Sequence, residues 1–413
     1  MNIWLINHYA VPPQYYPLAR QTYFAKHLMA MGHTVTLFAA STVHNSDKNL
    51  ITDGSPWREE WVDGVHYVYI KCVDYQGNGL KRIYNICEFA WKLPGVCKQF
   101  PRPDAIVATS MPPTSCAVGI RLARKYGCKG VAEIADLWPE SIVAYGIAGP
   151  HNPAVVVLRW LEKWIYTRAD DVVFTMEGAY DYIVDQGWEK EIPRSKVHFI
   201  NNGVDLPLFD ENREKYRIED ADLDDPDTFK VVYAGSLRKA NHMGLLLDAA
   251  KLVTDPRVRF LMWGAGDEVE ELRRRVKEEE IRNVVIKGSV EKKYIPGIVS
   301  RADLNVMHMG SDKILRFGVS FNKMFEALAA GRPLLSGFST KYNPSVQRGA
   351  GISVPEMTAE QIAGAVEQFV CMDKETYRQM CENARRAAEA YDFKRLTEHL
   401  VDIIEKKEAG EKP

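Results

Sequence analysis

The sequence lacks the features of a secreted, membrane-spanning or zinc-bound protein. No apolar run approaches the roughly 20 residues needed to cross a bilayer. The first residues, MNIWLINHY, lack a charged segment before an apolar core, so we expect no signal peptide. The seven cysteines form no CxxC pair and have no histidine at ligand spacing. They predict buried thiols of a reducing cytoplasm, which excludes a disulfide framework and a zinc site.

The chain also lacks an excess of charge of either sign. Its 53 basic and 55 acidic residues give a net charge of −2, and 46% of its residues are hydrophobic. This composition excludes a disordered chain and a general binder of polyanions, so any contact with nucleic acid or a membrane must come from a local patch. With 413 residues, the chain is long enough for two domains with separate cores.

Short apolar runs alternate with helical stretches and glycine-containing turns in both halves of the chain. This pattern predicts an α/β protein with two doubly wound, Rossmann-like domains. We place the domains at residues 1–205 and 206–392, with a terminal helix within 393–413 that packs back on the first domain. The charged stretch Glu211–Asp227 is interpreted as the linker. Ligands of such sheets bind beyond the carboxyl ends of the strands, so we expect them in a central cleft that the two domains face.

The most informative stretch is Arg316–Ser336, which reads RFGVSFNKMFEALAAGRPLLS. Its glycine-containing turn leads into a helix that ends at Gly331. A helix N-terminus beside Lys323 suits a diphosphate, and Glu326, one turn further on, suits the hydroxyl groups of a ribose. The alternative is a capped core helix with a solvated Lys/Glu pair. The candidate binding residues of this stretch are Arg316, Ser320, Asn322, Lys323 and Glu326.

Three further loops of the second half follow predicted strands and contain glycines or cations. The residues we single out there are Gly235, Ser236, Arg238, Lys239, Gly264, Gly288 and Val290. The segment Gly264–Gly266 matches the dinucleotide-binding fingerprint only in part, because its third glycine would fall at Val269. The incomplete fingerprint disfavours a dehydrogenase. The two glycines indicate only that a backbone or a ligand comes close to this loop.

The first half contributes carboxylates and aromatic side chains. Asp136 and Glu140 follow a predicted strand in the segment DLWPES, where Asp136 suits a general base or an acceptor for a sugar hydroxyl. Alternatively, Asp136 or Ser141 caps a helix. His8 and Arg20 flank the loop after the first strand and are candidates for the same cleft, the alternatives being a loop histidine and a surface salt bridge.

The stretch Leu80–Leu93 predicts a helix with an apolar face and with Lys81, Arg82 and Lys92 near its ends. Aromatic side chains in such a helix suit the surface of a membrane. The alternative is that the apolar face packs on its own domain.

Taken together, these segments resemble the family-4 glycosyltransferases, retaining enzymes with the GT-B fold, over nearly the whole chain. The motifs that support the resemblance are Asp136–Ser141, Gly318–Pro333 and Asn202–Asp205. The first two are similar to a bacterial subgroup that builds surface polysaccharide, including transferases that add N-acetylated deoxyhexosamines, such as N-acetyl-fucosamine, to lipid-diphosphate-linked sugars. The resemblance implies that Glu326 holds the nucleotide ribose and Lys323 the diphosphate or donor sugar, with the loop Gly288–Val290 beside the base.

The resemblance also implies what the protein acts on. We expect retaining transfer from a nucleotide sugar, a UDP-linked N-acetylated hexosamine or deoxyhexosamine, to a glycan on polyprenyl diphosphate during polysaccharide or O-antigen assembly. We expect no cofactor, no metal and no nucleic acid, and a cytoplasmic protein that touches the inner membrane surface. We assign catalysis to Asp136, Lys323 and Arg238, acceptor binding to His8, Arg20 and Glu140, and donor binding to the other residues singled out above.

The sequence departs from the family pattern at several positions. The family often carries two glutamates seven residues apart, of which Glu326 is the second, but Gly318 occupies the first position. The frequent Arg and Lys of the second domain are replaced by Ser236 and Asn241, and the glycine-rich first loop is replaced by Tyr15–Leu18.

Two other functions stay open at this stage. One is a nucleotide-sugar epimerase of the same fold, which would need acid/base groups on both sides of the donor sugar. The other is a two-domain binding protein without enzymatic activity, against which the predicted phosphate-binding cations argue.

Overall fold

The computed structural model describes residues 1–15, 20–44, 46–77, 79–309 and 313–406, with only the backbone described at position 240. The chain divides into two compact units. The first contains residues 1–201 and the C-terminal segment from Phe393 onwards, and the second contains Asn202–Asp392. The chain therefore passes from one unit to the other after Asn201 and returns after Asp392.

Strands and helices alternate throughout the described residues. The strands are β1 Asn2–Ile6, β2 Thr34–Ala40, β3 Trp57–Val62, β4 Val65–Ile70, β5 Ala105–Ser110, β6 Lys129–Ile134, β7 Asp171–Phe174, β8 Val197–Phe199, β9 Phe229–Ala234, β10 Val258–Trp263, β11 Val284–Gly288, β12 Leu304–Met307, β13 Leu334–Ser336 and β14 Gly351–Ser353. The α-helices are α1 Arg20–Ala30, α2 Leu80–Cys97, α3 Pro113–Tyr126, α4 Glu140–Ala144, α5 Pro153–Arg168, α6 Ala179–Asp185, α7 Leu206–Lys215, α8 Ala221–Asp224, α9 Gly244–Leu252, α10 Val269–Glu278, α11 Ile295–Val299, α12 Asn322–Ala329, α13 Pro344–Gln347, α14 Ala359–Val370, α15 Lys374–Ala390 and α16 Phe393–Glu405. Short 3₁₀ helices lie at Arg194–Lys196, Lys239–Asn241, Lys292–Tyr294 and Leu315–Phe317.

The first unit is built on one sheet with the strand order β3-β4-β2-β1-β5-β6-β7-β8. Its strands pair in parallel, except that β3 runs antiparallel to β4. The central strands are covered on both faces and therefore consist of nearly continuous apolar residues, as in β1, where Ile3–Ile6 are buried. Alternate residues face opposite layers: Ile3 and Leu5 join the core beneath α1 and α16, whereas Ile6 lies beneath Gly119 of α3.

The second unit has a parallel sheet with the order β11-β10-β9-β12-β13-β14. One core lies between this sheet and the helices α9 and α14, and includes Leu247, Phe260 and Phe369. Another core contains α12 and α15 and includes Met324 and Ala387. Each unit is thus a parallel α/β sheet with helices on both faces, which confirms the predicted fold class.

The interpretation of Glu211–Asp227 as a linker is wrong. The stretch contains the end of α7 and all of α8, and it lies within the second unit, where Leu223 is buried. Its carboxylates are engaged in ion pairs: Asp222 binds Lys287, and Asp224 binds Arg301 at 2.9 Å. In the sequence, the many charged residues of these helices obscure the few apolar side chains that pack the helices on the unit.

The terminal helix α16 belongs to the first unit. Phe393 stacks on Tyr23 of α1 with a centroid distance of 4.7 Å, and Leu400 and Ile403 are part of the same core.

Within the part of the chain that the structure covers, no helix combines the length and the apolar character needed to cross a membrane. The prediction of buried thiols holds only in part, because Cys87 and Cys371 are exposed.

Candidate active site

The loops that follow β9, β10 and β11 are joined at the carboxyl edge of the second sheet. The N–H of Gly235 donates to Trp263 O at 2.9 Å, and the N–H of Gly264 donates to Gly288 O at 2.8 Å. A Cβ at Gly264 would lie 1.8 Å from the carbonyl oxygen of Gly235, and a Cβ at Gly266 would lie 1.9 Å from that of Leu237. The two glycines of the partial fingerprint are therefore needed because neighbouring backbone approaches them.

Lys323, the second residue of α12, reaches over this edge. Its Nζ donates to Tyr233 Oη at 3.0 Å and lies 4.6 Å from the centre of that ring, while Tyr233 Oη donates to Ser236 O at 2.8 Å. The Lys323 side chain runs along Gly235. Burial lowers the pKa of Lys323 to about 8. No acidic side chain among the described residues pairs with it, so an anion bound here would find a poorly hydrated cation.

Ser236 and Asn241 occupy the positions where the family often carries Arg and Lys. Asn241 Nδ2 donates to Ser236 O at 2.7 Å and lies 2.9 Å from Ser236 Oγ. This hydrogen-bonded pair is neutral. The buried positive charge of this edge therefore comes from Lys323 on another element.

The other predicted cations of this unit lie on the surface. Arg238 and Lys239 are exposed at the start of a 3₁₀ helix, where the backbone N–H of Lys239 donates to Asp267 Oδ1 at 3.2 Å. Arg316 is also exposed, with its guanidinium carbon 4.4 Å from the centre of the Phe317 ring. These side chains do not share the environment of Lys323.

The N-terminus of α12 has no side-chain cap, because its N-cap residue is Phe321. The first N–H groups of a helix lack acceptors within the helix, and here they lie beside Lys323. Asn322 is the first residue of the helix. The turn before it is fixed by Asn202, whose Nδ2 donates to Ser320 O at 2.8 Å. Gly318 has φ +112°, a conformation unfavourable for glutamate, which explains why the first family glutamate is absent.

Glu326 is largely buried and forms an ion pair with Lys292. Lys292 lies in the 3₁₀ helix that follows β11, four residues after Gly288. Lys292 was not among the site residues predicted from the sequence. Its position shortly after a strand, in the loop next to Gly288, is the feature of the sequence that could have identified it as a site residue. Val290, from the same loop, packs against the small apolar cluster that contains Trp263.

His308 is a second residue of this edge that was not predicted from the sequence. It follows β12 directly and is buried, and its Nδ1 donates to Gly337 O at 2.9 Å. Burial lowers the pKa of His308 to about 4, and the neighbouring positive charge of Lys323 acts in the same direction. His308 is therefore a neutral group of this edge. In the described part of the chain, no three His, Cys, Asp or Glu side chains are grouped to hold a metal ion.

In the first unit, Asp136 follows β6 at the carboxyl edge of the sheet, as predicted. Its side chain is accessible to solvent, and it makes no hydrogen bond or ion pair with any residue that the structure describes. The protein around it removes part of its hydration and raises the pKa of its carboxyl group. The N-cap of α4 is Pro139, and Ser141 Oγ donates to Leu137 O, so neither Asp136 nor Ser141 caps this helix.

Glu140 does not present a free carboxylate. Its Oε2 accepts from Arg159 of α5 at 2.8 Å, and Arg159 also donates to Gln186 Oε1 at 2.6 Å and Tyr182 Oη at 3.2 Å. Tyr182 in turn donates to the buried Glu162, whose pKa burial raises to about 8. Glu140 thus attaches the short helix α4 to α5, and its assignment to acceptor binding stays a prediction.

The assignments of His8 and Arg20 to the acceptor are corrected, because both residues lie in the interior. His8 is fully buried, its Nε2 is 2.7 Å from Asn85 Oδ1, and burial lowers its pKa to about 3. Arg20 Nε donates to the buried Glu133 at 2.8 Å, and its guanidinium also donates to Ile200 O at 2.8 Å. These contacts hold α1 against β6 and the end of β8, which does not fit direct contact with an acceptor. Of the loop replacing the glycine-rich segment, residues 16–19 lie outside the described residues.

Two family models match the two halves of the chain. The model described as "Glycosyl transferase 4-like domain" matches residues 19–203, and "Glycosyl transferases group 1" matches residues 214–387. A relative in Escherichia coli, "Putative colanic acid biosynthesis glycosyl transferase WcaI", is 23% identical over 296 residues, which are 68% of this chain and 70% of WcaI.

Solved structures share the fold over almost the whole chain. Sucrose-phosphate synthase from Thermosynechococcus elongatus matches with a TM-score of 0.71 and 19% identity, covering 98% of both chains. Anabaena HepE, solved in complex with UDP-glucose, matches with a TM-score of 0.64 and 14% identity, covering 97% of this chain and 98% of HepE. The chain therefore belongs to the family-4 type of glycosyltransferases, which have the GT-B fold.

Proposed function

We propose that this glycosyltransferase transfers an N-acetylated hexosamine or deoxyhexosamine from a UDP-linked donor, with retention of configuration, to a glycan on polyprenyl diphosphate. The observation that carries the proposal is Lys323, a half-buried cation without an acidic partner among the described residues, next to an uncapped helix N-terminus. The name of WcaI supports a role in surface polysaccharide, and the UDP-glucose complex of HepE supports a uridine nucleotide.

In this proposal the second unit holds the donor. The diphosphate binds Lys323 and the first N–H groups of α12, with Arg238, Lys239 and Arg316 adding positive charge from the surface. The ribose hydroxyls bind Glu326, which releases Lys292 from its ion pair, and the base lies beside Gly288 and Val290.

The reaction follows from the charges. The bond between the anomeric carbon and the diphosphate oxygen breaks, and its electron pair stays on the leaving diphosphate. The acceptor hydroxyl oxygen forms the new bond on the same face of the sugar, and its proton passes to the leaving diphosphate oxygen. Lys323 and the helix N-terminus stabilise the negative charge that develops, and we propose that this charge stabilisation needs no metal ion.

Asp136 is assigned to the acceptor. Before the attack its carboxylate accepts the hydrogen bond of the attacking hydroxyl, which orients that oxygen and increases its nucleophilic character; as the anomeric bond breaks, this hydrogen turns to the leaving diphosphate oxygen, which takes the proton. The assignment rests on the exposed, unpaired carboxylate at the carboxyl edge of the first sheet, and on the finding that Asp136 does not cap α4. Glu140 supports it indirectly, because the pair with Arg159 fixes the helix that follows Asp136.

The proposal is tested by measuring the binding of UDP, GDP, ADP and NAD by calorimetry and thermal shift, with and without Mg²⁺. We expect selective binding of UDP that does not depend on Mg²⁺. If no nucleoside diphosphate binds under either condition, the donor site is wrong. With a synthetic prenyl-diphosphate acceptor, NMR of the product then reports the anomeric configuration, and inversion would contradict the retaining mechanism.

Replacing Glu326 with alanine is expected to weaken UDP binding about tenfold, since hydrogen bonds to a charged acceptor contribute about 1.5 kcal/mol or more. The most specific measurement compares UDP with 2′-deoxy-UDP. The wild-type protein should bind 2′-deoxy-UDP more weakly than UDP, whereas Glu326→Ala should bind the two equally. The double variant with Lys292→Ala removes the effect of releasing that lysine. Glu270→Ala, at an exposed carboxylate of α10, is the matched control. Equal UDP affinity of Glu326→Ala and wild type would refute the ribose contact.

The affinity for UDP is expected to fall as the pH rises above 8, because the pKa of Lys323 in the free protein is about 8. A bound diphosphate raises this pKa, so the complex keeps the proton that the free protein loses. Below this pH, Lys323 is protonated in both states and has no effect on the pH dependence. We expect the dissociation constant to increase about tenfold between about pH 7 and about pH 9. Lys323→Arg, which stays charged, should show a flat profile over this interval, and a flat wild-type profile would contradict the contact.

A further inference from the structure

The first unit exposes an unusual number of large apolar side chains on one face. Leu80, Tyr84 and Trp91 lie on one side of α2, opposite the buried Phe89, and Trp91 is 80% exposed. On α5, the exposed side chains are Val156, Val157 and Trp160, with Trp160 65% exposed. Groups of exposed apolar side chains of this kind mark contacts with a partner or a membrane.

These helices form one layer. α2 contacts α3, and α3 contacts α5, whereas α1 and α16 contact each other on the opposite side of the sheet. Between the two apolar stripes, α3 presents the exposed Arg121 and Lys125. The guanidinium carbons of Arg121 and Arg168 lie 5.7 and 4.9 Å from the centre of the Trp164 ring. We call the outer surface of α2, α3 and α5 the α2–α5 face.

The charge of the α2–α5 face decides which partner fits. Together, α2, α3 and α5 contain nine basic and two acidic residues, although the whole chain has a net charge of −2. Three of the nine basic residues are in ion pairs, Lys92 with Glu88, Arg159 with Glu140 and Lys163 with Glu191. Because Glu162 is buried, the basic side chains remain in excess on this face. A second copy of the chain placed symmetrically on this face would bring like charges together, whereas anionic lipid headgroups complement them.

The arrangement along the helices also suits a lipid surface. Each of these helices runs back from the carboxyl edge of the sheet, so the apolar residues near the starts of α2 and α5 lie at the edge where Asp136 follows β6. The basic residues Arg121, Lys125 and Arg168 lie nearer the opposite ends. Exposed aromatic and basic side chains on one layer of helices are typical of proteins that lie on a bilayer without crossing it.

We propose that the α2–α5 face docks on a bilayer surface that contains anionic lipids. The exposed side chains alone support the surface. Its role rests on the proposed function: docking brings the carboxyl edge with Asp136 to the level of the lipid headgroups, where the diphosphate and first sugars of a polyprenyl-linked acceptor lie. The apolar side chains insert between the lipids, and the basic side chains pair with the headgroups.

The test is sedimentation of the full chain with vesicles of phosphatidylcholine alone or mixed with phosphatidylglycerol. We expect binding to the mixed vesicles that decreases with added salt, and about tenfold or more weaker binding of the double variant Trp91→Ser/Trp160→Ser. Trp61→Ser is the matched control, because Trp61 of β3 is also 65% exposed in the same unit and lies outside this face. Arg121→Glu/Lys125→Glu should abolish the preference for anionic vesicles.

Three outcomes would overturn the proposal. They are absence of wild-type binding to mixed vesicles, equal binding of the double tryptophan variant and Trp61→Ser, and a dimer in vesicle-free solution that the double tryptophan variant disrupts. UDP affinity is measured by calorimetry on each variant without vesicles. It should stay unchanged, which shows that the variants fold and separates a failure of docking from a failure of the proposed donor site.

Discussion

Replacing Lys323 with alanine is expected to lower the turnover number for sugar transfer about 100-fold or more, the usual effect of removing one preorganised donor from a developing negative charge. The reason is the surroundings of Lys323. It lies over Tyr233 without an acidic partner among the described side chains, and burial lowers its pKa to about 8. A cation in such a place is poorly hydrated, and the charge of the leaving diphosphate restores the interactions that burial removed.

Two further variants make this prediction specific. Lys323→Met keeps the length and apolar part of the side chain without the charge, so it should lose as much turnover as the alanine variant. Because the charge on the diphosphate grows in the transition state, turnover should fall by a larger factor than UDP affinity. Lys277→Ala, at an exposed lysine of α10, should behave like wild type. Turnover close to normal in either Lys323 variant would show that the charge stabilisation lies elsewhere.

The sequence was sufficient to predict the fold because the strands are buried on both faces. β1 and β10 are mostly apolar, and each is followed by a polar or glycine-containing loop and a helix, which is the pattern of parallel α/β sheets. The close approach at Gly264 was also predictable from its place after a strand. What the sequence left open was whether a ligand or a backbone approaches it, and the structure shows the carbonyl oxygen of Gly235.

The errors in the candidate site share one physical cause, which is that an ion pair between distant segments leaves no local signal. Arg20 follows a loop at the carboxyl edge and has the chemistry of a ligand-binding residue, but its partner Glu133 is 113 positions away in the sequence. Lys292 was overlooked because its partner Glu326 lies 34 positions further on. Residue type and position at a strand end therefore predict where a side chain lies better than they predict what it binds.

Replacing Asp136 with alanine is expected to reduce turnover about 100-fold, within the range for a positioned acid or base, while UDP affinity changes less than about twofold. The effects on turnover and on UDP affinity differ because Asp136 belongs to the first unit, whereas the proposed UDP contacts belong to the second. Since Asp136 neither caps α4 nor pairs with a described residue, the melting temperature should stay close to that of wild type. Glu189→Ala, at an exposed carboxylate of the same unit, is the control.

The asparagine variant tells which property of Asp136 matters. Asp136→Asn keeps an oxygen that accepts a hydrogen bond but removes the negative charge. If the charge on the carboxylate activates the acceptor hydroxyl, Asp136→Asn should lose nearly as much turnover as Asp136→Ala. If the residue only orients the hydroxyl, Asp136→Asn should keep most of its activity. Full activity of both variants, at saturating concentrations of donor and acceptor, would remove Asp136 from the catalytic site and leave the acceptor hydroxyl to be activated by the leaving diphosphate alone.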